Sequence, residues 1–446
     1  MAEAGDKVKI HTKEIQAEHD SAGHHKGESL TGTLMPEEKE FVVLKLETGY
    51  NIGISKKRVT EIITIAKKTE KKPVTVKIEI TPKLPTISIL HTGGTIASKA
   101  DYETGGVVAR FTPEELIAIF PELKETANIT SRLISNMWSQ DLRFAHYNIL
   151  IKEIEKEIKK GADGIIVTHG TDTLHYTSAA LAFAVQNSPI PIIIVGSQRS
   201  SDRGSTDGAL NLLCAARFIT QTSFAGTATC MHETTNDNNC LILPATKCRK
   251  MHTSRRDAFQ PINNMPWARV IYPEKKIEFM RTDYLRKGNN KPEITFYKEN
   301  LKIGILKQHT NMYEEQYNFY ENFDGLVIEA TGLGNLPTSE IDEHTKEHTK
   351  IFKALQKLAK KMPVVLAPQA LYGMLNLNVY ENQRKLQEIG ILGNLSDMTP
   401  ETTFIKLAWL LSNYDSEETK EKISQNLVGE ISERIEPNTF LYHNTD

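Results

Sequence analysis

Much of the architecture of this chain follows from one stretch, Gly164–Ala184, GIIVTHGTDTLHYTSAALAFA. Ile165, Ile166 and Val167 form a short apolar run of the kind that makes a strand buried on both faces. Thr168 to Thr173 are small or polar, and from Leu174 the apolar positions return at helical spacing through Thr177, Ala180, Leu181 and Ala184. The pattern predicts strand, tight loop, helix, the unit of an α/β sheet. In such sheets chemistry collects beyond the carboxyl ends of the strands. The loop there carries His169, Gly170, Thr171 and Asp172. Thr171 offers a hydroxyl, Asp172 a fixed negative charge, and the following helix N-terminus backbone N–H groups for an anion or oxyanion. The plain alternative is that Asp172 only caps an ordinary turn.

Thr86–Ala97, TISILHTGGTIA, repeats the pattern. Ile87, Ile89 and Leu90 predict a strand, ended by His91-Thr92-Gly93-Gly94-Thr95. Two glycines permit a tight turn and close approach of backbone to a ligand, and Thr95 adds a second hydroxyl. A lone TGGT is a glycine turn. Paired with HGTDT in this order and separation, it resembles the signatures of the L-asparaginase/glutaminase amidohydrolase family, here Thr92–Ala97 and His169–Thr173. The resemblance runs from about Leu84 to Leu411. It implies a two-domain asparaginase-like α/β fold with parallel sheets, and it assigns Gly94 and Gly170 to substrate binding.

Bulk properties fit a globular chain with room for two or three domains: 446 residues, 39% hydrophobic and 25% charged. A net charge of −2 provides no global field to recruit nucleic acid. No run of 18 apolar residues and no signal-peptide pattern occurs, so no membrane segment and a cytoplasmic location are expected. Cys214, Cys230, Cys240 and Cys248 lack CxxC spacing. Cys230, His232, Cys240 and Cys248 are too irregular for a zinc site, so reduced packed thiols and no metal are expected.

Residues 1–66 read as short strands separated by Pro36, Gly49 and Gly53, the pattern of a small all-β barrel module. His24-His25 falls in a polar loop. Lys67–Lys72, KKTEKK, with Pro73, Pro82 and Pro85, marks residues 67–85 as an exposed linker. An α/β domain at 86–285 follows. Ala100–Gly106 is polar, glycine-bearing and suited to a lid; the resemblance implies that its Tyr102 approaches a nucleophilic threonine. It also implies that Ser139 and Gln140, in Ser139-Gln140-Asp141, hold the substrate's α-carboxylate and amine, and that Ser205–Leu212 packs behind the site. Aligned on Phe259 with the family's pattern, Lys247–Phe259, KCRKMHTSRRDAF, is similar to its catalytic-lysine segment, and the resemblance implies Lys250 as that lysine, with Lys247 and Arg249 as close competitors. Chemistry requires one such base, because a threonine hydroxyl is inert at its free pKa. Thr171 with Lys250 is the obvious chemical pair, whereas the resemblance favours Thr95 for the first attack; both remain candidates.

A second α/β domain is expected at 300–413, with residues 414–446 a polar tail. In Thr331-Gly332-Leu333-Gly334-Asn335 the resemblance implies that Asn335 reaches a neighbouring site across a homodimer interface. The 85 residues before the TGGT strand, with GTLMP at Gly32–Pro36, ETGYNIGI at Glu47–Ile54 and LYGMLNLNVY at Leu371–Tyr380, resemble the D subunits of archaeal glutamyl-tRNA(Gln) amidotransferases. That resemblance implies a glutaminase that passes ammonia to an E subunit, as a heterotetramer of two D and two E chains. The E subunit would bind Glu-tRNA(Gln) and use ATP and Mg, leaving this chain without a cofactor; no GxxxxGK[ST] occurs here. A free-standing L-asparaginase with an accessory module is the alternative.

Overall fold

The computed structural model describes residues 2–13, 29–36, 38–47, 51–67, 81–94, 98–100, 107–109, 121–200 and 205–441. His24, His25, Thr95, Tyr102 and the KKTEKK run beyond Lys67 lie outside the described residues.

The N-terminal module is one antiparallel sheet of β1 (Lys7–Thr12), β2 (Ser29–Leu34), β3 (Phe41–Lys45), β4 (Asn51–Ser55) and β5 (Val59–Ala66). Their order is β4-β3-β2-β1-β5, so consecutive strands β4 and β5 form opposite edges. A flat five-stranded sheet would hold those edges about 19 Å apart. The four residue steps from Ser55 to Val59 reach about 14 Å at most. The sheet must therefore roll up, as a barrel module requires. It closes over Val8, Ile10, Leu44 and Ile54, the alternate residues that face its interior.

The main sheet contains β6 (Thr86–His91), β7 (Asn128–Leu133), β8 (Gly164–Thr168), β9 (Pro191–Val195), β10 (Gly226–His232), β11 (Asn239–Pro244), β14 (Ala268–Ile271) and β15 (Lys276–Phe279). Its order is β15-β14-β11-β10-β9-β8-β6-β7. Strands β7, β6, β8, β9 and β10 run parallel, and the remaining pairings are antiparallel. Between β11 and β14 a small ribbon pairs β12 (Cys248–Lys250) with β13 (Phe259–Pro261).

The central strands carry apolar runs without polar alternation, Ile165–Val167 and Ile192–Val195, because both faces are covered. Ile165 and Val167 face α1 (Phe144–Lys159) and α2 (Leu174–Ala184), whereas Ile166, Ile193 and Val195 face α3 (Gly208–Gln221). The C-terminal unit is a parallel sheet of β16 (Ile303–Lys307), β17 (Gly325–Ala330) and β18 (Val364–Pro368) with α4 (Glu347–Lys361) on one face. Its other face packs on α5 (Pro400–Asn413), whose Ile405, Leu407, Trp409 and Leu410 share one core with the α2 side of the main sheet. The two sheets are thus joined by hydrophobic burial through a common helix.

At the described end of the 67–85 segment Thr81, Pro82 and Lys83 are exposed, and Asn128 holds it: Asn128 Nδ2 donates to the carbonyls of Thr81 and Leu84, and Asn128 Oδ1 accepts from the Thr81 N–H. One expectation is corrected. The 414–446 segment is not a peripheral tail through Ser432. Glu430 and Lys406 form an ion pair at 2.7 Å with both side chains fully buried, and Glu430 also accepts the N–H groups of Leu427 and Val428. Charged composition concealed this, because a buried charge satisfied by a partner reads in sequence like a solvated one.

Candidate active site

Parallel register brings the predicted loops together. Thr168 lies opposite both His91 and Val195, so β6, β8 and β9 end level. The loops that leave them are bolted edge to edge: Thr92 donates to the Thr168 carbonyl from its N–H and from Oγ1 (2.9 Å), and the His169 N–H donates to Val195 O. Glycines set the closeness. Gly94 has φ +82°, and a Cβ there would stand 2.5 Å from the Gly170 nitrogen. A Cβ on Gly170 would stand 2.9 Å from Cβ and Oγ of Ser139, and one on Gly196 2.8 Å from Cγ2 of Thr171. The three loops and the Ser139 turn therefore stack with no room for side chains.

Thr171 is buried at this edge. Lys250 Nζ donates to Thr171 Oγ1 and to Asp172 Oδ1, each at 2.8 Å. Asp172 does not cap α2; the N-cap position is Thr173, whose hydroxyl instead donates to the Ser139 carbonyl at 2.7 Å. The plain reading of Asp172 as a helix cap is thereby displaced by an ion pair with Lys250.

The cluster Lys247, Arg249, Lys250 is sorted by position and partner. Lys247 lies in the bend before β12, and Arg249 and Lys250, adjacent on the strand, point to opposite faces. Lys247 meets Asp397 at 2.5 Å with both side chains fully buried; the contact is between charges and lacks hydrogen-bond angles. Arg249 Nε and Nη2 both donate to Oε1 of Glu401, in the first turn of α5. Only Lys250 reaches Thr171, and the other two cations clamp its strand to the C-terminal unit.

Of the other expected residues, Ser139 is buried against Gly170, and Gln140 is exposed beside it. Asn335 is half-buried, and its Oδ1 accepts from Gln383 Nε2 at 3.0 Å within the C-terminal unit. A single chain gives it no hydrogen bond to the Thr171 group among the described residues. Gln198 is a site residue that sequence reasoning missed. Its Oε1 accepts from the Thr171 hydroxyl at 3.3 Å. The signal for it is its position at the carboxyl end of β9, level with the two motif loops. Asp207 holds that loop from behind, accepting from Ser197 Oγ and from the backbone N–H of Gln198 and Arg199. It stands at the N-cap position of α3, but its carboxylate is spent on this loop rather than on the helix. The Ser205–Leu212 segment is thus a buttress. The four cysteines are buried and unpaired. Cys240 and His232 both turn to Oδ1 of Asn211.

Three histidines flank the site in neutral form. Burial lowers His91, His169 and His175 to about 4. His91 shares hydrogen bonds with Thr168 Oγ1 and Ser131 Oγ, and His169 with Thr177 Oγ1. An unfolded histidine titrates near 6.5. Between that value and about 4 the unfolded chain binds more protons, so stability falls as pH drops through this window. The urea midpoint should begin to fall near pH 6.5, above the carboxylate range. A midpoint flat down to about pH 5 would contradict the buried neutral assignment.

A hydroxyl, a lysine and a carboxylate in hydrogen-bond contact, beside a glycine-lined edge, form a group suited to acyl transfer from an amide. The comparisons with known proteins agree with this class. The family profile "Asparaginase, N-terminal" matches residues 86–284, and "Glutaminase/Asparaginase C-terminal domain" matches 302–423. The thermostable L-asparaginase from Thermococcus kodakarensis superposes with TM-score 0.69 at 28% identity, over 78% of this chain and 99% of that one. L-asparaginase I from Vibrio cholerae does so with TM-score 0.66 at 25% identity, over the same shares. A third profile, "GatD N-terminal domain", matches residues 24–65. The D subunit of glutamyl-tRNA(Gln) amidotransferase from Pyrococcus furiosus is 42% identical over 92% of each chain. The one from Thermococcus kodakarensis is 40% identical over 90% of this chain and 89% of its own. The chain belongs to the family of glutamyl-tRNA(Gln) amidotransferase D subunits, in which an asparaginase-type core carries an added N-terminal module.

Proposed function

We propose that this chain is the glutaminase component of a tRNA-dependent amidotransferase. The observation that carries this reading is the Thr171–Lys250–Asp172 group, present in a chain related to D subunits along nearly all its length. In the reaction a threonine oxygen attacks the side-chain amide carbon of glutamine while Lys250, as the free amine, takes the hydroxyl proton. The amide nitrogen gains a proton and departs as ammonia. Water then cleaves the resulting ester, regenerating the hydroxyl and releasing glutamate. Thr171 and Thr95 are the two candidates for the attacking oxygen, with Tyr102 closing over the site. Ser139, Gln140 and the Gly94 and Gly170 backbones bind the substrate. Asn335 acts across a homodimer interface.

The ammonia is consumed by a separate E subunit, which binds Glu-tRNA(Gln) and activates its γ-carboxylate with ATP and Mg in a cytoplasmic assembly of two D and two E chains. Ammonia must pass inside that assembly, because protonation in bulk water removes its nucleophilicity. No helix among the described residues is long and apolar enough to cross a membrane.

The rival is a free-standing asparaginase. One methylene separates its substrate from glutamine, a difference read by pocket shape. Assaying the isolated chain on both amides distinguishes them. Slow turnover of each is expected here, and rapid asparagine hydrolysis without a partner would overturn the proposal.

A further inference from the structure

The Thr171 hydroxyl has one proton and two neighbours that compete for it. With Lys250 charged, the lysine donates to Oγ1 (2.8 Å) and the hydroxyl donates onward to Gln198 Oε1 (3.3 Å). With Lys250 neutral, the hydroxyl must turn to the lysine's lone pair, the arrangement needed for the lysine to act as a base. Gln198 Oε1 then loses its donor beside the buried Thr171 side chain, which costs part of a hydrogen bond. The side chain cannot turn away easily to recover one. Its loop is fixed by three bonds to Asp207 and by Asn211 Nδ2 donating to the Gly196 carbonyl at 3.0 Å. The amide Nε2 is buried with no hydrogen-bond partner among the described residues, so the side chain is held where it stands at the expense of one of its own groups.

We infer that Gln198 is a positioning residue that draws the Thr171 proton away from Lys250 and so biases the lysine against acting as the base. This deepens the proposed function, on which it rests, by naming a residue that sets how readily Lys250 takes the threonine proton. The other titratable groups around Lys250 do not supply the same effect through Thr171. Asp172 favours the charged lysine directly at 2.8 Å. On α2, His175 is a neutral ring. The Arg249 guanidinium is occupied by Glu401 of α5, and Asp257, just before β13, is occupied by Arg255.

The test reads the Lys250 amine itself and needs no turnover. The full chain is labelled with trace acetic anhydride across a pH series, and acetylation at Lys250 is followed by peptide mass spectrometry. In Gln198→Met, which keeps the bulk and removes the acceptor, the labelling midpoint of Lys250 should fall by about one pH unit, a tenfold larger share of free amine at a given pH. An unmoved midpoint in Gln198→Met would overturn the inference. So would a rise, which would mean that the amide nitrogen faces Thr171. If Gln198→Met lacks native near-ultraviolet circular dichroism, Gln198→Leu, also uncharged and without an acceptor, decides: a fall supports the inference and any other result overturns it. Failure here leaves the glutaminase assignment intact, since that assignment stands or falls on turnover.

Discussion

Replacing Lys250 by methionine is expected to leave a folded chain whose glutamine hydrolysis is slower by about 10²–10⁴-fold. The fold should survive because Asp172, whose side chain is 66% exposed, is rehydrated and Thr171 keeps Gln198 as a hydrogen-bond partner. The chemistry should not survive, because no other cation among the described residues bonds to the Thr171 hydroxyl. Lys247 and Arg249 are committed to Asp397 and Glu401. Thr171→Val should cost a comparable factor, and the double variant little more than either alone, because groups that act as a unit are not additive. The same assay on Thr95→Val apportions the attack between the two threonines. Near-native turnover in either variant excludes that threonine from an essential role. Near-native turnover in Lys250→Met would remove the lysine from the mechanism.

Lys247→Met should do the reverse, harming the fold before the chemistry. It leaves the Asp397 carboxylate buried without its cation, at a cost of about 3–5 kcal/mol. Burial drives the Lys247 amine downward from its ordinary value, and Asp397 opposes this. Asp397 also accepts the Ser432 N–H, so its disturbance loosens the C-terminal segment as well. Replacing both partners, as Lys247→Met with Asp397→Leu, should recover much of the loss, since an apolar pair of similar bulk removes the stranded charge. Denaturant midpoints of the two singles and the double measure this directly. A single variant as stable as the parent would mean that the pair carries no such energy.

The contrast between these two lysines also marks how far sequence could go. The apolar runs at Ile165–Val167 and Ile192–Val195 were legible as buried strands because both faces are covered, which leaves no polar alternation to interpret. The two motif loops were legible because each directly follows such a run. The choice among Lys247, Arg249 and Lys250 was not, since all three are cations within one short stretch. What separates them is the position of each in or before a short strand and the carboxylates of a segment far away in the chain. Gln198 was hidden for a similar reason: its role depends on β9 ending level with β8, a matter of register. The C-terminal segment misled because Glu430 looks solvated until Lys406, buried in α5, is seen to meet it.

On the proposed function, hydrolysis in this chain serves a partner. A protein that feeds ammonia to another should stay nearly silent until that partner and its charged tRNA arrive, with closure over the threonines completing the site. The deciding measurement is the glutaminase rate of this chain alone, then with the E subunit, then with the E subunit and Glu-tRNA(Gln). A low basal rate that rises by about tenfold or more on the final addition is expected, the size of change that completing a site by closure can bring. A full rate from the isolated chain, unchanged by either addition, would contradict this and leave a free-standing amidohydrolase.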